Sequence, residues 1–182
     1  MLKLRAHRAA IAMGMLTIGL SSCGVSTVQQ CNNLAEVMNQ GEEFKSEFES
    51  EMDAFGAQFQ NSGGDIESIN AMASSYVDVV GRVVTKIEEM ATDLTALDLP
   101  DETLAGYRDQ YAEVTSNFGK ELTNTSEAMA SLQNVSSEAE LMTAAIEFQE
   151  KAVGAFTNLT TLSEEGDTLT TQIQDYCEAE AG

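Results

Sequence analysis

Covalent and acid-base chemistry has few places to occur in this chain. The sequence holds three cysteines (Cys23, Cys31 and Cys177), four tyrosines, 30 Asp and Glu residues, and a single histidine, His7. Beyond residue 7 there is no imidazole, so the body of the chain can hold no Ser-His-Asp or Cys-His relay, no His-ligated zinc or haem, and none of the Glu-x-x-His pairs of di-iron bundles. The remaining acids are carboxylates, clustered at Glu42-Glu43, Glu47-Glu49-Glu51-Asp53, Glu88-Glu89 and Glu164-Glu165-Gly166-Asp167. A calcium loop of the EF-hand type needs oxygen ligands at alternate positions, a central glycine and a distal Glu within twelve residues. None of the four runs supplies that pattern, so they read as solvated helix faces, with weak divalent-cation binding as the alternative. No catalytic residue, metal site or cofactor is assigned.

The first cysteine stands in a different context. Lys3, Arg5 and Arg8 form a basic start, Ala9 to Leu20 is an apolar run of 12 residues, and Leu20-Ser21-Ser22-Cys23 closes it. A membrane-spanning helix needs about 20 apolar residues, so the run fits a cleaved secretory signal over residues 1–22. The four closing residues resemble the lipobox of bacterial lipoprotein precursors. That resemblance implies lipidation of Cys23 as the mature first residue and a membrane anchor through the lipid. Gly24 takes the place of the Asp that marks inner-membrane retention, which places the protein at the periplasmic face of the outer membrane in a diderm cell.

Loss of Lys3, Arg5 and Arg8 with the signal takes the formal charge from −21 to −24. A surface that acidic repels nucleic-acid phosphates, so no nucleic-acid partner is expected. With Cys23 given to lipid, Cys31 and Cys177 remain as an even pair in an oxidising compartment, which predicts a disulfide.

The elements that must position this pair are legible as apolar residues at alternating steps of three and four. One series runs Ile66, Ile69, Ala73, Tyr76, Val80, Val83, Ile87, Met90, Leu94 and Leu97. Another runs Leu141, Ala145, Phe148, Ala152, Ala155, Leu159, Leu162, Gly166, Leu169, Ile173 and Tyr176. Leu34 to Phe59 forms a looser seam rich in Phe, and Leu104 to Leu132 carries a stutter at Phe118 and Leu122. The breaks between them are short: a glycine stop and Asp65 cap, the lone Pro100 followed by Asp101, and Ser137 with Glu140 at capping-box spacing.

Short links between long amphipathic helices predict an all-α, antiparallel up-down-up-down four-helix bundle over 29–180, with helices near 29–60, 65–97, 101–133 and 137–178, behind a tether at 23–28. In that topology Cys31 and Cys177 share one end. If they lie level, Gly41 falls opposite Asp167 and beside Gly166, which suggests a close helix-helix approach or a small gap.

Two further groups of residues admit a docking reading. Val77, Val79 and Val84 widen the apolar face of the second helix, either as a broad core stripe or as an exposed ridge. Tyr107, Arg108 and Tyr111 follow Leu97, Leu99, Asp101 and Leu104 in a stretch that resembles exported helical-bundle lipoproteins of bacteria with no assigned activity. The tyrosines fit core-edge positions, and the alternative is an aromatic and Arg docking patch. The sequence thus predicts a lipid-anchored cell-envelope lipoprotein, not an enzyme, acting as an interaction or assembly module with a protein partner. The alternative is a periplasmic binding protein for a small ligand or divalent cation.

Overall fold

The computed structural model describes residues 25–61 and 64–181, with the side chains of 42–45, 47, 49, 55 and 58–61 outside that description. The segment expected to be a signal, Cys23, and the side chains of Phe44, Phe55 and Phe59 therefore lie outside the described residues. The protein is all-helical there, with no strand: α1 (Thr27–Asn61), α2 (Ile66–Ala96), α3 (Glu102–Ala130) and α4 (Glu138–Ala181).

Each helix start has a chemical cause. Gly64 has φ of 71°, a left-handed conformation that costs glycine nothing and other residues a Cβ clash, and it ends the α1–α2 turn. Asp65 then caps α2, accepting from the Ser68 backbone N–H at 2.8 Å. Asp101 caps α3 after Pro100, accepting from the N–H groups of Thr103 and Leu104, both at 3.0 Å. At α4 the expected box is shifted by one residue. Ser137 Oγ accepts from the Glu140 N–H at 3.3 Å, but the Glu140 carboxylate accepts from the backbone N–H and hydroxyl of Ser136.

The helices pack along one another, α1 against α2, α2 against α3 and α3 against α4, with α1 also meeting α4. Contacts pair rising numbers on one helix with falling numbers on the next. Between α2 and α3 they link Asn70 to Val135, Tyr76 to Thr125 and Ile87 to Gly119. Between α3 and α4 they link Asp101 to Tyr176, Val114 to Gly166, Glu121 to Asn158 and Ser131 to Ala144.

The core falls into two clusters along this axis. One joins Cys31, Leu34, Val37, Met90, Leu94, Leu99, Leu104, Ala112 and Ile173, so all four helices meet in it. The other centres on Tyr76, Val80, Val83, Ile87 and Leu122, with Phe48 of α1 and Leu159 of α4 packed against it. Tyr76 is buried there, and its hydroxyl is satisfied by Thr125 Oγ1 at 2.9 Å. Burial pushes the Tyr76 hydroxyl above its ordinary value of 10.0, against the opposing pull of that hydrogen bond.

Of the glycine pair expected to approach, Gly41 and Gly166, the structure describes the surroundings of Gly166. Gly166 faces α3, where a Cβ would meet Val114 Cγ1 at an ordinary 3.8 Å and nothing else within 4 Å among the described residues. Gly41 is half-buried on α1. A tight glycine does exist elsewhere. Gly119 is buried in α3, and a Cβ there would stand 3.1 Å from Cγ2 of Ile87, which is itself 1 % exposed. We expect Gly166→Ala to raise stability by roughly 0.5–1 kcal/mol through helix propensity, since its space is open. Gly119→Leu should lower it by about 1–3 kcal/mol through overpacking. Thermal melts of the two variants check both signs.

Candidate functional site at the disulfide end

The most densely bonded part of the molecule is the end where α1 begins, the α2–α3 turn passes and α4 finishes. Cys31 and Cys177 are joined there by a disulfide, with Cα atoms 5.8 Å apart. Gln30 precedes the bridge and is only 3 % exposed, yet both ends of its amide are used. Its Nε2 donates to the Val25 carbonyl at 3.0 Å, and its Oε1 accepts from the Asp101 N–H at 2.9 Å. Asp101 Oδ2 in turn accepts from the Tyr176 hydroxyl at 2.9 Å, and the Tyr176 ring meets Tyr107 edge to face at 6.1 Å. One chain of contacts therefore runs from the segment that follows Cys23 through the α3 cap into the last turns of α4.

The electrostatics of this end follow from those bonds. The Leu104 N–H holds the Asp101 carboxyl below its ordinary 3.8, with Tyr176 and Thr103 helping. Donation to Asp101 raises the Tyr176 hydroxyl above 10.0, and desolvation adds to the rise. Asp65 is lowered by the Ser68 N–H in the same way, and Glu140 by the Ser136 hydroxyl.

The sign for stability is then fixed. Each of these carboxylates binds protons more readily in the unfolded chain, so its contribution is complete above 3.8 for Asp and 4.5 for Glu and is lost as pH falls through the lowered folded value. Between pH 7 and that window, falling pH works the other way by relieving the self-repulsion of a chain at −21. We expect the melting temperature to rise from pH 7 to about 5 and to drop below about 4. A series of thermal melts across that range checks the turnover.

Several sequence candidates fall into structural roles. Val79 is buried at 6 % exposure, and Val77 and Val84 are half-buried, with Val84 packed against the Tyr76 cluster. Val79 and Val84 therefore belong to the α2 core face, as the broad-stripe reading has it. Tyr107 and Tyr111 pack against the disulfide-end core. Arg108 is half-buried and clasps the α2–α3 turn, donating through Nη1 to the Leu97 carbonyl at 2.6 Å and through Nε and Nη2 to Asp109. The guanidinium is thus shared between a turn carbonyl and the exposed Asp109 carboxylate.

Gln30 and the Asp101–Tyr176 pair were not legible as a site. A buried amide carries no periodic apolar signal, and Asp101 reads as a helix cap alone. The grooves beside α3 are open to solvent. The larger, about 620 Å³, lies between α3 and α4 and is lined by Glu113, Asn117, Glu164, Glu165 and Thr168 among others. Among the described residues no three His, Cys, Asp or Glu side chains gather as a metal-binding group, and no helix is long and apolar enough to cross a membrane.

No protein-family model, curated protein or solved structure matches the chain.

Proposed function

We propose that this chain is a lipid-anchored lipoprotein of the bacterial cell envelope, a non-catalytic interaction or assembly module built as an antiparallel up-down-up-down four-helix bundle. The bundle reading rests on the contact pairs, in which numbers rise on one helix as they fall on its neighbour from α2 to α3 and from α3 to α4. Short turns at 97–101 and 131–137 accord with it.

The observation that carries the anchoring role is the clamp beside Cys23. Val25, two residues after that cysteine, is hydrogen-bonded to Gln30, which is adjacent to the disulfide and bonded to the α3 cap. A load on the tether is passed to three helices there, and Val25 and Val28, 43 % and 40 % exposed, give this end an apolar fringe suited to a membrane surface. The lipobox-like Leu20-Ser21-Ser22-Cys23 supplies the anchor, and Gly24 after it favours the outer membrane facing the periplasm.

Mass spectrometry of the mature protein and cell fractionation test the reading. We expect an acylated Cys23 as the N-terminus, and Cys23→Ser should move nearly all of the protein from the membrane to the soluble fraction. An unmodified N-terminus elsewhere, with Cys23→Ser still membrane-bound, overturns it.

A further inference from the structure

Away from Val25 and Val28, the large apolar side chains that stay exposed among the described residues all lie on one helix: Met142 (69 %), Ile146 (57 %), Val153 (61 %) and Phe156 (51 %) of α4. Steps of four, seven and three put them on a single face. That face is turned away from Ala144, Ala152 and Ala155, which are buried against the rest of the protein. Exposed Ala145 and Gln149 fill the stripe between them. Ser131 at the α3 C-cap lies against Ala144, so the first residues of α4, Met142 included, overhang the end of α3. Single exposed apolar residues are ordinary on a protein surface, but a continuous stripe about 20 Å long is not.

Charge says what can cover it. The chain carries −21 overall, yet residues 141–146 and 152–163 contain no charged side chain. The flanks of the stripe on α4 are Ala139, Thr143 and Thr157, all exposed, with Glu150 beside its middle and Glu138 one turn before Met142. A basic helix would be drawn to a densely acidic rim, and α4 supplies only Glu138 and Glu150 here. Two copies of a strongly acidic chain can approach only where their charge is absent, and this band is such a place.

The spacing then supplies the symmetry. Steps of four, seven and three fall one residue short of a palindrome, so two α4 helices crossing antiparallel at Gln149 bring Met142 level with Phe156 of the other copy and Ile146 within one residue, about 1.5 Å, of its Val153. A two-fold contact requires this kind of self-complementarity. The exposed side chains offer roughly 400 Å² of apolar surface per copy. With their rims two copies would bury roughly 1,000 Å², the low end of a specific interface. We propose that this face of α4 pairs with the same face of a second copy, in an antiparallel two-fold dimer centred on Gln149. The inference does not depend on lipidation of Cys23.

Sedimentation equilibrium of the full chain in density-matched nonionic detergent tests it. Over about 1 to 100 µM, a range suited to an interface of this size, we expect a reversible monomer-dimer equilibrium. Ile146→Glu or Val153→Glu should weaken it at least about 100-fold while leaving helix content and melting temperature unchanged, because both side chains are exposed in the monomer. The register has its own readout. Met142→Glu and Phe156→Lys should each give monomer, and the double variant should dimerise again, since each new carboxylate meets the new amine of the other copy. Fourteen residues apart on one helix, the two cannot satisfy each other. A chain that stays monomeric throughout, a dimer indifferent to Ile146→Glu, or a double variant no better than the singles overturns the proposal. A monomer that instead binds a Lys-rich amphipathic peptide, and loses it on Ile146→Glu, overturns it too and gives the stripe to a basic partner.

Discussion

Reducing the Cys31–Cys177 bridge, or replacing both residues by Ser, is expected to lower the melting temperature by about 10–20 °C. The bridge spans a sequence separation of 146 residues, nearly the whole described chain. Closing so long a loop in the unfolded state removes conformational freedom equivalent to about 5 kcal/mol in the chain-entropy model. For a chain of this size each kcal/mol moves the midpoint by about 2–4 °C. The loss should appear mainly as a shift of midpoint, with helix content at low temperature retained. Circular dichroism melts with and without reductant measure it. A midpoint that does not move would mean that the ends of α1 and α4 stay together in the unfolded chain without the bond.

The bridge also illustrates what the sequence could and could not convey. Cys31 and Cys177 were legible as a pair because, once Cys23 is read as a lipid site, two cysteines remain and have one connectivity, and because short turns between long helices bring the first and last ends together. The α2 seam was legible for a simpler reason. Ala73, Tyr76, Val80, Val83, Ile87, Met90 and Leu94 are all buried, and no competing period exists in that stretch. The all-helical class follows from the same steps of three and four.

Legibility failed where burial is decided by fit instead of by hydrophobic side-chain size. In α3 the stutter residue Phe118 is only half-buried, whereas Ala112, Thr115, Gly119 and Ala128 face the interior. Small residues allow α3 to lie close to α2 at Ile87, and a count of large apolar positions passes over them. In α4 the period placed Ala145 inward. Ala144 is buried in its place and Ala145 is exposed, since at its start α4 sits against the α3 C-cap at Ser131. The uncovered stripe of α4 was missed because the inward seam already accounted for enough apolar residues to make a helix.

The polar clamp was hidden for a related reason. Gln30 is buried because its amide joins two backbone groups that α1 and the α2–α3 turn would otherwise bury unpaired. Nothing in the neighbouring sequence marks that need. The same holds at the other end of the helices, where the Asn70 amide both donates to the Val135 carbonyl and accepts from its N–H.

The second large effect concerns how α1 is held. Its described buried residues are Gln30, Cys31, Leu34 and Val37, all within the first three turns, with half-buried Met38 packed beside them. Further along, described contacts to α2 come from half-buried Phe48 and Met52 and from the exposed Glu51–Arg82 ion pair at 3.2 Å. Exposed pairs of that kind contribute little, and the fully buried contacts described for α1 lie beside the disulfide. Leu34 is fully buried among Leu94, Leu104 and Ile173. Leu34→Ala should therefore cost about 2–5 kcal/mol, the transfer of the lost side chain plus the cavity left behind. With the bridge intact, α1 cannot leave even when this contact is gone, and the cost should appear in the global midpoint. With the bridge reduced, the same substitution should release α1 locally before α2, α3 and α4 unfold, because those three share the Tyr76 and Leu122 cluster. Hydrogen exchange separates the two cases: in reduced Leu34→Ala the amides of 30–40 should exchange faster than those of 76–90, whereas in the oxidised variant both sets should move together. Protection in 30–40 that persists after reduction would place the hold on α1 in its distal half instead.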